Sequence, residues 1–431
     1  MKTKIRAHYC WIIVFMALLE MLIYGGVTNN LNGLFIIPVT ETLQVSRSGF
    51  SLAMTMKMVT MFGFGMVSSV LFLKFGYRNL ATLGLVGGAL AILLMSVSNH
   101  LFVTGLAAAI LGIFECLYST VGVSRIIGDW FHRYRGIVLG IVTAATGLGG
   151  SFFCVIQTKI IQQSGWRNAY RFSAIMLLAA AVLVFVVARN RPEQVGQRPF
   201  GEGLLPIKQR HRAGMSDDNW PGFSLKELVK RPTFYLMLVT AFVASVSMYL
   251  AFYVVVPHMQ DCGLTAEEAA TMQSTMLLIL AVAKLLVGAL SDVIGGKGVS
   301  LLCSSCAAVG LWLLTRVDSV TSGLIAVVVF SMCLPQTTIT IPLLTTSLFG
   351  YRAHDTAMSI FLSMLSIGAV VASPACNLAY DLLGSYNPVF LVACGLAVTS
   401  FVLYLVLYRL AGKDKKRWYE EEAQRKVQAS N

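Results

Sequence analysis

The sequence predicts an all-α membrane protein of twelve transmembrane helices arranged as two six-helix bundles. Three observations carry that expectation: long uncharged apolar runs, too little charge for a water-facing surface, and basic residues gathered in alternate loops. Of the 431 residues, 56% are hydrophobic and 12% charged, against roughly 25% charged in soluble domains. Much of the surface must therefore face lipid. Backbone groups find no water there, so runs of this kind cross the bilayer as helices.

Each crossing needs about 20 mostly apolar residues. The first six runs fall at 9–31, 48–72, 79–97, 101–127, 136–160 and 169–189. A second six follow at 232–256, 269–290, 298–315, 320–346, 353–378 and 386–409. Between them lies a stretch rich in Pro, Gly and charge, including Arg191, Pro192, Pro199, Pro206, Asp217 and Asp218. The chain thus divides into an N-terminal bundle (1–189), a linker (190–231), a C-terminal bundle (232–410) and a tail (411–431). Two packed bundles of six suit a carrier that rocks about a central site.

Loop charge sets the orientation. Lys2, Lys4 and Arg6, then Lys74 and Arg78, then Arg133 and Arg135 fall on one side, with the linker, Lys297, Arg352 and the tail. The opposite loops are short or acidic, as at Asp261, Glu267 and Glu268, apart from the basic Lys159, Arg167 and Arg171. Positive loops stay in the cytoplasm. Both termini and the linker are therefore expected there, in an inner or plasma membrane. The same pattern accounts for the net charge of +13 without nucleic acid as a partner. Almost all nine cysteines sit in apolar runs and read as small packing residues, Cys303 and Cys306 included. Cys262 falls in an external loop, and His258 beside it is expected to be solvated.

Two junctions repeat between the halves. Gly288-Ala-Leu-Ser-Asp292-Val-Ile-Gly295-Gly-Lys297 joins the eighth and ninth spans. Ser69-Val-Leu-Phe-Leu73-Lys74-Phe-Gly76-Tyr-Arg78 joins the second and third. Both resemble the Gly-x-x-x-Asp-basic-x-Gly-x-basic signature of the major facilitator superfamily. The physical logic is a tight glycine turn, a basic cluster and an Asp near a helix end. The first copy departs from the signature at Leu73, where the family usually has Asp. Trp130-Phe131-x-Arg133-x-Arg135-Gly136, followed by Gly140, Gly147, Gly149 and Gly150, resembles the oxalate/formate antiporter and monocarboxylate transporter branches. Gly165-Trp166-Arg167 and Asp381-x-x-Gly384-Ser385-Tyr386 fit the same branches. The resemblance covers essentially the whole chain. It implies a cytoplasmic gate built from Asp292, Lys297, Lys74, Arg78, Arg133 and Arg135. The glycines of the fifth span are read as points where helices approach closely.

Ionisable residues inside a membrane helix cost roughly 2.5–3.5 kcal/mol even on the lenient insertion scale, so each is a functional candidate. Lys284 lies eight residues before Asp292, about 12 Å along the helix. The resembled branches usually have a substrate-binding Arg here. Lys keeps the cation and loses the planar fork; the bland reading is an internal ion pair. Lys57 is a second candidate cation, or pairs with Glu20 or Glu115, or snorkels outward. Glu20 and Glu115 are candidate proton sites, because carboxyl groups out of water hold a proton more tightly. The alternative is a structural pair with Lys57 or with Arg125, itself a candidate for substrate or gate. Tyr24 and Tyr118, like Tyr249 and Tyr253, fall on expected cavity helices and are candidate substrate contacts or plain packing. Pro335 and Pro342 predict a kink in the tenth span.

No Gly-x-x-x-x-Gly-Lys-Ser/Thr loop appears, so nucleotide-driven transport is not expected, and neither is enzymatic activity, a cofactor or a metal. The resemblance implies a secondary carrier, working as a monomer, that exchanges a small organic anion or moves it with a proton. The second membrane cation of the oxalate/formate branch, on its eleventh helix, has no counterpart in 357–376, which favours a monocarboxylate. An exporter of amphipathic or drug-like molecules is the first alternative. A membrane sensor that binds without turnover is the second.

Overall fold

The computed structural model describes residues 8–131, 134–201, 223–336, 339–350 and 354–430. The first half of the chain forms α1 (Cys10–Tyr24), α2 (Ile36–Leu43), α3 (Arg47–Phe75), α4 (Tyr77–Val97), α5 (Leu101–Tyr118), α6 (Thr120–Trp130), α7 (Arg135–Ser164) and α8 (Trp166–Val187). The second forms α9 (Leu225–Leu228), α10 (Pro232–Phe252), α11 (Val255–Asp261), α12 (Ala266–Leu314), α13 (Val320–Ser331), α14 (Thr340–Leu344), α15 (His354–Leu383) and α16 (Asn387–Ser430).

Among the described residues, ten helical stretches are long and apolar enough to cross a membrane, against the twelve expected. α3 is 29 residues long, ample for a crossing, but is not one of the ten. The expected tenth span is not a single helix. α13 stops at Ser331, a 3-10 turn covers Leu334–Gln336, and α14 leads into a π turn at Thr345–Phe349. Pro335 and Pro342 fall in this stretch; each lacks the N–H that a continuing helix needs.

The two glycine turns read from the repeated junctions are present. Gly76 (φ 75°, ψ 161°) separates α3 from α4, and Gly295 (φ 70°, ψ 174°) bends α12 into two membrane-length pieces. Gly165 repeats the conformation between α7 and α8 (φ 82°, ψ 163°). That region of backbone space is essentially closed to any residue with a side chain. Capping fixes other starts: Ser46 Oγ accepts from Gly49 N ahead of α3, and Thr265 with Glu268 forms a reciprocal box ahead of α12.

α1 to α8 pack chiefly on one another, α3 and α4 on α5, α4 on α8, and α1 on α7. α10 to α16 do likewise, α12 on α13 and α16, and α10 on α15 and α16. The two sets meet where α7 lies on α12 and α3 on α15. One end gathers the start of the chain, the linker and the extension of α16. There Gln197 accepts from Tyr9 N at 2.9 Å, Trp130 O from Phe200 N at 2.8 Å, and Asp414 pairs with Arg231 at 3.1 Å. This is the linker end; the ends of α3 at Arg47 and α11 at Asp261 mark the far end. The outer faces stay apolar and exposed, as at Phe102, Val182, Leu391 and Val402.

Candidate functional site

α7 and α12 close together toward the far end and part toward the linker end. Cys154 Sγ donates to Ala270 O at 3.3 Å, and the Ser151 and Ser274 hydroxyls lie 2.8 Å apart. A Cβ added at Gly147 would come within 2.7 Å of the Leu277 carbonyl oxygen and 3.0 Å of Ala281 Cβ. One helical face therefore runs through 270, 274, 277 and 281, and the same period carries it on to 284 and 288. The matching face of α7 runs back from Gly147 to Gly140 and Gly136. Yet a Cβ at Gly136, Gly140 or Gly288 would meet nothing within 4 Å. Lys284 thus sits one turn past the last close contact, at the apex of a wedge that widens toward the linker end. It is half-buried and has no ion-pair or hydrogen-bond partner among the described residues.

A second cluster lies inside the first half. α1 loosens after Tyr24 into a π turn, Gly25–Asn29, which leaves carbonyls without their usual helical partners. Side chains take them: Lys57 Nζ donates to Thr28 O at 2.6 Å and Gln157 Nε2 to Gly26 O at 3.2 Å. Just beyond, Gln273 of α12 donates to Asn30 O at 3.3 Å, while Asn30 Nδ2 donates to Thr146 O at 3.0 Å. Lys57 also pairs with Glu115 at 3.3 Å, both side chains being buried. The Tyr24 and Tyr118 rings meet edge to face at 6.0 Å beside this pair, and Tyr249 stacks on Tyr253 at 5.6 Å. Of the two carboxyls offered to Lys57 by the sequence, the structure brings Glu115. Glu20 is held elsewhere: the Tyr77 hydroxyl, at the first residue of α4, donates to its Oε2. Its other oxygen is buried without a partner.

The contacts described for the charges read as a gate at the linker end stay within their own halves. Arg125 pairs with Asp129 one turn on, at 3.3 Å. Arg78 donates to Phe185 O at 2.7 Å and stacks over the Phe185 ring. Arg135 lies against Gly128, and Lys74 and Lys297 are exposed. Arg133 and the side chain of Asp292 lie outside the described residues. No ion pair joins the two halves at this end among the described residues.

The far end holds a charged link between the halves, and sequence reasoning missed it. The Arg47 guanidinium grips both oxygens of Asp261 at 2.6 and 2.9 Å, donates to Tyr386 Oη at 3.2 Å and lies 3.9 Å over the Tyr380 ring. Asp381 accepts from the backbone N–H groups of Arg47 and Ser48 at 3.2 and 2.9 Å, closing the N-terminus of α3. Tyr380 Oη donates to Asp261 at 3.2 Å. The available signal was charge sign: Arg47, the lone basic residue between the first two expected spans, against Asp261 and Asp381 between expected spans of the other half. His258, expected to be solvated, is buried instead. α11 folds it under the far-end loops, with a ring nitrogen 2.8 Å from Leu314 O and the ring 4.7 Å from Phe390.

A family model, "Major Facilitator Superfamily", matches residues 13–351 and 237–429. A fujikurins efflux protein of Gibberella fujikuroi is 23% identical over 73% of this chain, which spans 63% of that relative's length. Human monocarboxylate transporter 2 is 22% identical over 92% of this chain and 85% of its own. Among solved structures, a bacterial homolog of the human lysosomal transporter Spinster, inward-facing and unoccupied, superposes with a TM-score of 0.72. It is 15% identical over 96% of this chain and 99% of its own. These matches agree with the helical architecture and the two glycine-turn junctions: the chain belongs to the major facilitator superfamily and is a multi-pass membrane transporter, not an enzyme.

Proposed function

We propose that this transporter is a secondary carrier of a small organic anion, most simply a monocarboxylate, working by alternating access. α3 and the broken α13–α14 stretch would complete twelve crossings of a plasma membrane, with the basic linker end in the cytoplasm. The carrying observation is the placement of Lys284. A cation in a membrane helix is costly unless compensated, and this one faces the open wedge with no carboxylate at ion-pair distance among the described residues. An anionic substrate would supply the missing charge. Human monocarboxylate transporter 2, similar along 92% of the chain, supports that substrate class. Release of the Arg47 link and closure of the wedge would make the opposite-facing state. For proton symport, Glu20 is the better candidate than Glu115: no cation lies at ion-pair distance from it among the described residues, whereas Glu115 balances Lys57. The carrier would act as a monomer.

Uptake of radiolabelled monocarboxylates into proteoliposomes tests this reading, with and without an inward proton gradient. Saturable uptake that falls at least about tenfold in Lys284→Ala, and largely returns in Lys284→Arg, is the expected result. No uptake of any carboxylate by folded protein would remove it. The efflux name of the Gibberella fujikuroi relative favours a second reading, export of amphipathic molecules. Transport of such compounds that ignores Lys284→Ala would establish it instead.

A further inference from the structure

A cleft of about 260 Å³ opens at the linker end of the first half, apart from the wedge at Lys284. Its walls are the α3–α4 turn, the end of α6 and the segment after α8. Lys74, Arg125 and Arg191 line it against a single carboxylate, Asp129, which is already engaged by Arg125. The walls are tied together. Asn190 Oδ1 accepts from Arg78 N at 2.8 Å, and Asn190 N donates to Gln194 Oε1 at 2.9 Å. The lip is apolar and open: Leu73 and Phe75 are 68% and 48% exposed. Leu73 stands where the family signature places Asp, so the cleft gains an apolar edge and, among the described residues, lacks a second carboxylate.

An excess of cations inside a tied cleft, beside an outward apolar lip, has the chemistry of a site for a phosphate carrying acyl chains. We propose that this cleft binds the phosphate of an anionic lipid headgroup, with Lys74 and Arg191 as the cations that no described carboxylate engages and Leu73 and Phe75 against the first methylenes. Basic side chains near a membrane surface attract anionic lipid, and Arg matches phosphate oxygens with its fork of donors. The proposal does not depend on the identity of the transported substrate.

The test uses delipidated full-length protein in neutral detergent. Dihexanoylphosphatidylglycerol, dihexanoylphosphatidylcholine and inorganic phosphate are titrated separately by calorimetry. Saturable binding of the glycerol lipid but not the choline lipid is expected. The affinity should fall on the order of tenfold in Lys74→Gln/Arg191→Gln and persist in Lys74→Arg/Arg191→Lys. Both side chains are exposed, so folding is not at stake, and a melting curve in lipid-free detergent checks it. If inorganic phosphate binds as tightly as the lipid, the lipid assignment falls and the occupant is a free phosphate. Equal binding of the two lipids, or glycerol-lipid binding unchanged in the glutamine double variant, overturns the site.

Discussion

Arg47→Gln should open the far end of the protein. The substitution removes two charge-assisted hydrogen bonds to Asp261, at 2.6 and 2.9 Å, one bond to Tyr386, and the contact over Tyr380. It leaves the backbone bonds to Asp381 intact, so α3 keeps its capped start. Hydrogen bonds to charged groups contribute ~1.5–3 kcal/mol each when sheltered. Here the side chains are 15% and 26% exposed, so solvent screening takes much of that. The cation–π contact adds ~0.5–1 kcal/mol. A net loss of about 2–3 kcal/mol shifts the balance between far-closed and far-open states roughly 30- to 140-fold. Ser373, which lines the packed region where α15 meets α3, reports the change. In a Cys262→Ser background, Ser373→Cys should be alkylated by a membrane-impermeant maleimide at least tenfold faster when Arg47→Gln is present. Asp261→Asn should add little to Arg47→Gln, since both break one pair. Equal alkylation rates with and without Arg47→Gln, or fully additive effects of the two substitutions, would refute the link as a gate.

Removing one partner of the buried Lys57–Glu115 pair strands the other. Lys57→Met should destabilise the protein by ~3–5 kcal/mol, and adding Glu115→Gln should recover more than half, read by thermal unfolding. Two glycines on α7 should respond oppositely to alanine. Gly149 packs against the Leu22 backbone, so Gly149→Ala should cost at least ~1–3 kcal/mol, whereas Gly140→Ala should stay within ~0.5 kcal/mol. If Glu20 carries the coupled proton, Glu20→Gln should abolish stimulation of uptake by a proton gradient while leaving counterflow exchange; stimulation unchanged in that variant would move the role to another group.

What the sequence made legible follows from how strong each local constraint is. Apolar runs of span length admit one solution in lipid, so α4, α7 and α8 stand within three residues of their expected starts and about four of their expected ends. Gly76 and Gly295 were legible for a similar reason: a basic cluster after a helix, with glycine at the junction, marks a backbone turn few other residues can make. The broken α13–α14 stretch was half legible, through its prolines. The π turn at Gly25–Asn29 was not, because it depends on Lys57, Gln157 and Gln273 arriving from three other helices. The partners of charges were hidden for the same reason. A charge on a helix announces its cost in the sequence, but whether Glu20 or Glu115 meets Lys57 depends on the rotation of α1 and α5, set by packing around Tyr77 and Tyr118.

The distribution of compensated charge itself argues for where the cargo sits. Lys57 is balanced by Glu115 inside one half, so its cost is met in every conformation in which that half stays rigid. Arg47 is balanced by Asp261 across the halves, so its compensation exists only while the far end is closed. Lys284 has no compensation among the described residues in the far-closed state, and it lies on the face of α12 that must approach α7 again if the wedge shuts. Closing an empty wedge would bring an unpaired cation into a drier, tighter setting, at a cost that rises as water leaves. Closing it around an anion would not. That difference would let the carrier resist cycling empty while it allows exchange: a bound anion would add the counter-charge that permits closure. It follows that Lys284→Gln should loosen this restraint, so that the wedge closes without substrate, seen as protection of Gly288→Cys from alkylation at the linker end. Wild-type protein should show that protection only with a transported anion present. Protection in neither protein, or equally in both without anion, would separate Lys284 from the closing step.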